Sequence, residues 1–155
     1  MIPAIQRAVI LPVIERLRSE PISKCLRELN RTQWHSHEQL RALQWEKLRI
    51  LIEHCYRNVP FYRRRFDEIG VRPGDIRNLE DFAKLPPLTK DEVRFQRTDL
   101  IDPTTRRRVE HCRSGGTLGI PMVLVRDSLA SAYMRAARAR GLGWFGIRMG
   151  ERQIR

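Results

Sequence analysis

Asp102-Pro103 separates two textures in this chain, and that switch limits the available folds more than any other feature. Before it, apolar residues recur mostly three and four positions apart, as one face of a helix requires. After it, short stretches alternate as strands do. The expected architecture is α/β, with a helical front followed by a first β-hairpin.

From His37 to Tyr56 the apolar positions Leu40, Leu43, Leu48, Leu51, Ile52 and Cys55 predict a helix. It should stop near Asn58, because Pro60 lacks an amide hydrogen and disfavours helical geometry in the residue before it. A second helix is expected from Pro60 to Ile69, with Gly70 just past its end. Val71 to Asp75 reads as a turn. Asn78 should cap a single helical turn running through Lys84, closed by Pro86-Pro87. Thr89 and Glu92 have the spacing of a capping box and predict another helix start.

Downstream, Arg108 to Cys112 alternates as a strand and Pro121 to Val125 reads as a second, more buried one. Asp127 or Ser128 should cap a helix that shows Leu129, Ala132, Tyr133 and Ala136 on one face and ends at Gly141. Between the strands lies Arg113-Ser-Gly-Gly-Thr-Leu-Gly-Ile120. Glycine lets a backbone turn tightly and aim several amides at one spot, and such a nest suits phosphate oxygens. Ser114 and Thr117 would add hydroxyl donors. A glycine-rich hairpin turn has the same composition, so the loop alone leaves both readings open. The Gly-Lys-Ser/Thr of a Walker loop is absent. Gly141-Leu-Gly143-Trp-Phe-Gly146 spells a dinucleotide fingerprint but follows a helix rather than a strand, so it reads as a helix end.

The net charge of +12 raises nucleic acid as a partner. However, basic residues are spread along the whole chain with acidic ones between them, and the densest runs are only Arg63 to Arg65 and Arg106 to Arg108. No nucleic-acid partner is therefore expected; a small basic nucleic-acid binder is the weaker alternative. Cys25, Cys55 and Cys112 are odd in number and far apart, which fits a reducing compartment better than a disulfide framework. The apolar stretch Ala8 to Ile14 is too short to span a bilayer, so no membrane span is expected and a cytoplasmic location is the default. Residues 4 to 18 suit an amphipathic helix docked on the protein's own body, with a helix lying on a membrane as the alternative. His35, His37, His54 and His111 show no metal-binding spacing and read as ordinary polar or core residues, with no metal site expected. Trp34, Trp45 and Trp144 and the cluster Tyr56, Phe61, Tyr62 and Phe66 read as core packing rather than stacking platforms.

Four segments in order carry a more specific signal: Leu40-Arg-Ala-Leu-Gln-Trp-Glu-Lys-Leu-Arg49, Tyr56-Arg-Asn-Val-Pro-Phe-Tyr-Arg63, Leu79-Glu-Asp-Phe-Ala-Lys-Leu-Pro86 with Thr89-Lys90, and Ser114-Gly-Gly-Thr-Leu-Gly-Ile-Pro121. Together they resemble the phenylacetate-CoA ligase family of adenylate-forming enzymes, which includes relatives assigned to capsular polysaccharide biosynthesis. The resemblance covers roughly residues 38 to 155 and implies a carboxylic acid and ATP as substrates, with magnesium and coenzyme A. It assigns Ser114, Gly115, Gly116, Thr117 and Gly119 to the loop that holds the ATP phosphates.

The division it implies is an N-terminal helical extension over 1–36 and the start of an adenylating domain over 37–155. The adenine site, the acidic residue associated with magnesium and the catalytic lysine are expected beyond Arg155. The chain alone is therefore expected to be an inactive N-terminal fragment, poorly soluble or partly disordered because apolar strand surface is left unpaired. Two positions depart from the family pattern. Leu118 stands where a second hydroxyl is usual and Ile120 where many members carry lysine, which keeps a degenerate, non-catalytic remnant as an alternative.

Overall fold

A computed structural model describes residues 5–113, 121–149 and 151. They form two compact units, the first drawing on the described residues of Met1–Trp34, Arg107–Glu110 and Arg126–Arg155, the second on those of His35–Arg106 and His111–Val125.

In the first unit a π-helical turn, Gln6–Ile10, runs into helix α1, Leu11–Arg18. Pro12 is tolerated near the start of α1, where its missing amide would have no helical partner. Ser19, in the left-handed region at φ 53°, ends the helix. Glu15 ties that end down: its Oε1 accepts from the Ser23 amide at 2.6 Å and from the Ser23 hydroxyl at 2.7 Å. On its inner side Leu11 lies near Ile22, Arg135 and Leu142. No residue of α1 is buried, and Val9, Val13 and Leu17, spaced four apart, all face outward.

Helix α2, Ile22–Thr32, packs against helix α7, Ser128–Gly143. Their contact buries Ile22 and Cys25 against Ala132 and Ala136, both fully inaccessible, with Leu26, Leu29, Leu129, Tyr133 and Met149 around them. Two alanines four residues apart present a nearly smooth strip, which lets the helices approach closely. Asp127 caps α7 by accepting from the Ala130 amide at 2.7 Å, as its position after a strand suggests. The helix runs two residues beyond Gly141 because Gly141 keeps a right-handed backbone. Gly146, at φ 77°, makes the left-handed turn instead.

In the second unit helix α3, His37–Asn58, is opened by a capping box: the Ser36 hydroxyl accepts from the Gln39 amide at 3.2 Å and the Gln39 side chain accepts from the Ser36 amide at 2.9 Å. Helix α4, Pro60–Glu68, follows with proline at its first position, and Gly70 takes φ 68° after its end. A 3-10 turn at Pro73–Asp75 precedes the short helices α5, Leu79–Ala83, and α6, Lys90–Phe95. Asn78 caps α5 and the Thr89–Glu92 box caps α6, both as the sequence predicts. Ile52, Phe66 and Ile76 form the core, with Trp45, Leu48, Tyr56 and Tyr62 packed around it.

Tyr56 meets Phe66 edge-on with ring centroids 6.0 Å apart, and Phe61 is buried beside Tyr62. The aromatic cluster is therefore core, and so is Trp45. Trp34 and Trp144 are not: they are 82% and 64% exposed. Trp144 lies under the Arg140 guanidinium and donates its ring N–H to the Gln33 side chain at 3.0 Å, a surface arrangement in which both faces of its chemistry are used.

Strands β1, Val109–Arg113, and β2, Val123–Asp127, pair as a two-stranded antiparallel sheet. Residues of β1 alternate between exposed and half-buried, as their sequence does. The second strand begins two residues later than expected, because Pro121 has no N–H to give to a ladder and the pattern continues through Arg126 to the capping Asp127. The α/β class, with helices preceding a first hairpin, is what the two textures predict.

Candidate functional site

The loop residues Ser114, Gly115, Gly116, Thr117 and Gly119 lie outside the described residues, as do Leu118 and Ile120. Their frame is described. Arg113 closes β1 on one side, and Pro121 and Met122 lead into β2 on the other, so the glycine-rich run joins two paired strands.

Polar contacts lock the base of this hairpin to α7. The Ser128 amide donates to the Arg108 carbonyl at 2.8 Å, just where β2 passes into the helix. Arg107 pairs with Asp127 at 2.9 Å, so one carboxylate both caps the helix and holds the segment entering β1. Burial pushes the Asp127 carboxyl up, but the bonds from the Ala130 amide and the Arg107 guanidinium outweigh it and the acid titrates below its ordinary range. Asp127 is thus a charged structural pin.

A second set links both strands to the first turns of α7. Glu110 of β1 lies 3.6 Å from the Arg126 guanidinium of β2, Arg126 Nε donates to the Ser131 hydroxyl at 3.0 Å, and that hydroxyl donates to Glu110 at 3.3 Å. Ser131 is fully buried. Such a closed triangle gives all three groups partners within the first unit. Sequence reading missed these positions. Glu110 and Ser131 stand 21 residues apart, and nothing in their local pattern announces a partner.

Among the described residues no group of three or more His, Cys, Asp or Glu side chains could hold a metal ion. His54 is the best placed, with Nε2 3.4 Å from Asp102 Oδ2 and Nδ1 3.0 Å from the Asn58 amide nitrogen. Both ring nitrogens thus lie within reach of a polar neighbour. Asp102 is held below its ordinary range, chiefly by the Thr104 hydroxyl, which donates to it at 2.7 Å. The set reads as a loop clamp.

No family model matches the chain. Individual proteins do. It is 38% identical over 112 residues to the phenylacetate-coenzyme A ligase of Aromatoleum evansii, covering 68% of this chain and 26% of the relative. The Escherichia coli (strain K12) enzyme of the same name gives the same identity and coverage. The Thermus thermophilus enzyme is 37% identical over 114 residues, 73% of this chain and 26% of its own length. The chain therefore spans about a quarter of the length of the curated relatives it matches. No helix among the described residues is long and apolar enough to cross a membrane.

Proposed function

We propose, for a chain that is a relative of the phenylacetate-coenzyme A ligases, that it forms part of an ATP-dependent carboxylate-CoA ligase. In that reading residues 37–155 belong to the adenylating part and 1–36 to a helical extension. The reaction takes a carboxylic acid and ATP. A carboxylate oxygen bonds to the α-phosphorus as pyrophosphate leaves; the coenzyme A thiol then displaces AMP from the acyl carbon.

This chain's share of that work is to bind the phosphates. Amides of Gly115, Gly116 and Gly119 and hydroxyls of Ser114 and Thr117 would donate to phosphoryl oxygens, stabilising charge as it moves onto the leaving pyrophosphate. Magnesium, when bound, supplies further charge neutralisation, and no described residue is assigned to it or to coenzyme A. The acid is a small molecule, and the cytoplasm is the compartment that fits the three unpaired thiols.

One observation carries the reading: four phenylacetate-coenzyme A ligases align with the chain at 36–38% identity. Titration calorimetry of ATP into the intact protein tests the loop's role. Replacing Thr117 or Ser114 by alanine should weaken ATP binding about tenfold or more each, since a hydrogen bond to a charged group contributes about 1.5 to 3 kcal/mol. Binding that is indifferent to both changes would overturn the assignment. No ATP binding to the intact protein would favour the non-catalytic reading that Leu118 and Ile120 suggest.

A further inference from the structure

The second unit contains a cavity of about 400 Å³ between α3, α4 and the segment from Phe82 to Leu88. Its walls are apolar, among them Leu48, Leu51, Ile52, Phe66, Phe82 and Leu88. A gap between mobile side chains would close on itself, but this one has a fixed wall. Arg65, set in α4, donates to the carbonyls of Pro86 at 3.2 Å and Pro87 at 2.8 Å and to Glu92 at 2.6 Å, pinning the Pro86-Pro87 strap opposite the helices. Three bonds to one rigid guanidinium, across a dipeptide with restricted backbone freedom, keep the space open without an occupant.

Charge decides what enters. Among the described residues Arg65 is the only ionised group in the lining, and its guanidinium is spent on the strap and on Glu92. A carboxylate or ammonium ligand would lose its hydration with no counter-charge to meet it. Two groups in the lining are polar without being charged, the Tyr62 hydroxyl and the Cys55 thiol. Burial raises both groups above their ordinary ranges, so both stay neutral at physiological pH.

We propose that this cavity is a binding site for a small neutral aromatic or aliphatic molecule carrying one hydrogen-bonding group. Its volume falls in the range of small-molecule pockets, and its mostly apolar walls with one or two polar groups match their usual make-up. The inference uses none of the residues Ser114 to Gly119, so it stands or falls independently of the ligase reading.

Cys55 provides the readout. With the full chain, the rate of Cys55 alkylation by iodoacetamide, resolved from Cys25 and Cys112 by peptide mass mapping, is measured with p-cresol, toluene or benzoate present. Saturating p-cresol and toluene should slow alkylation at Cys55 at least about fivefold, while benzoate leaves it unchanged. Tyr62→Phe should weaken p-cresol about three- to tenfold, the worth of one neutral hydrogen bond, and leave toluene as before. Ala83→Trp, at the cavity wall, should abolish protection by either neutral probe while circular dichroism retains the wild-type spectrum. Chemical shifts of the Leu48 and Ile52 methyl groups, followed with the same probes, give a second readout should Cys55 alkylate too slowly. The proposal fails if neither neutral probe moves the alkylation rate or those shifts, or if benzoate acts as strongly as toluene.

Discussion

The two units are held together by different physics. In the second, stability comes from an aromatic cluster around Phe66 and from helix caps that are local in sequence: Ser36 with Gln39, Asn78 with Asp81, Thr89 with Glu92. In the first, the apolar contact rests on two alanines, and polar pairs between residues far apart do much of the rest. Glu20, 1% exposed, faces Arg135 at 3.1 Å, and the Tyr133 hydroxyl donates to Glu28 across 105 residues of sequence. Caps and apolar period can be written into ten residues, whereas a buried carboxylate's ion pair needs partners that only folding brings together.

The sharpest way to break this contrast is at Glu20. Replacing Arg135 with alanine leaves the buried Glu20 carboxylate with its counter-charge gone, which should cost about 3 kcal/mol of urea-measured stability. Changing both Glu20 and Arg135 to methionine should restore most of that, because a buried pair exchanged for apolar groups is roughly neutral. If Arg135→Ala costs no more than the double change, the pair contributes nothing and the contrast between units collapses.

Phe66→Ala probes the other unit. Removing a ring that is 6% exposed should cost about 3 kcal/mol, with amide hydrogen exchange accelerating in α3 and α4. Exchange in α2 and α7 changing equally would show that the units do not melt as separate cooperative bodies.

The difference also explains what was legible in the sequence. Helices α3 to α6 fall close to where period, prolines and caps put them, since each signal acts over a few residues. The hairpin was legible in kind but not in register. Pro121 displaces the start of β2, and the Glu110, Arg126 and Ser131 triangle leaves no local trace. Trp34 and Trp144 were misplaced because an aromatic side chain at helical spacing looks the same whether it is buried or laid against Arg140 and Gln33 at the surface. At the candidate site, the glycine and hydroxyl pattern names its residues by composition, while the family likeness, spread over four segments, carries the functional reading.

Smaller effects sharpen the comparison. Thr89→Ala removes one half of a capping box and should cost about 1 kcal/mol, seen as a lower urea midpoint with an unchanged slope. Tyr133 gives a pH signature in the first unit alone. Its hydroxyl is pushed up to about 12, first by donating to Glu28 and then by burial, above the ordinary tyrosine value near 10. A folded-state value above the unfolded one means the contribution is complete below about pH 10 and disappears as pH rises toward about 12. Tyr133→Phe should abolish that alkaline loss at a cost of about 1 kcal/mol at neutral pH, a figure discounted for the partly solvated hydroxyl.

The central claim is that the run from Ser114 to Gly119 receives the phosphates of ATP. Amide resonances of Gly115, Gly116 and Gly119, followed by nitrogen–proton correlation spectra as ATP is added, address it directly. The account predicts that these three shift most, moving downfield together with a common saturation curve, and that adenosine without phosphates leaves them in place. Shifts confined to other residues, or an equal response to adenosine, would contradict it.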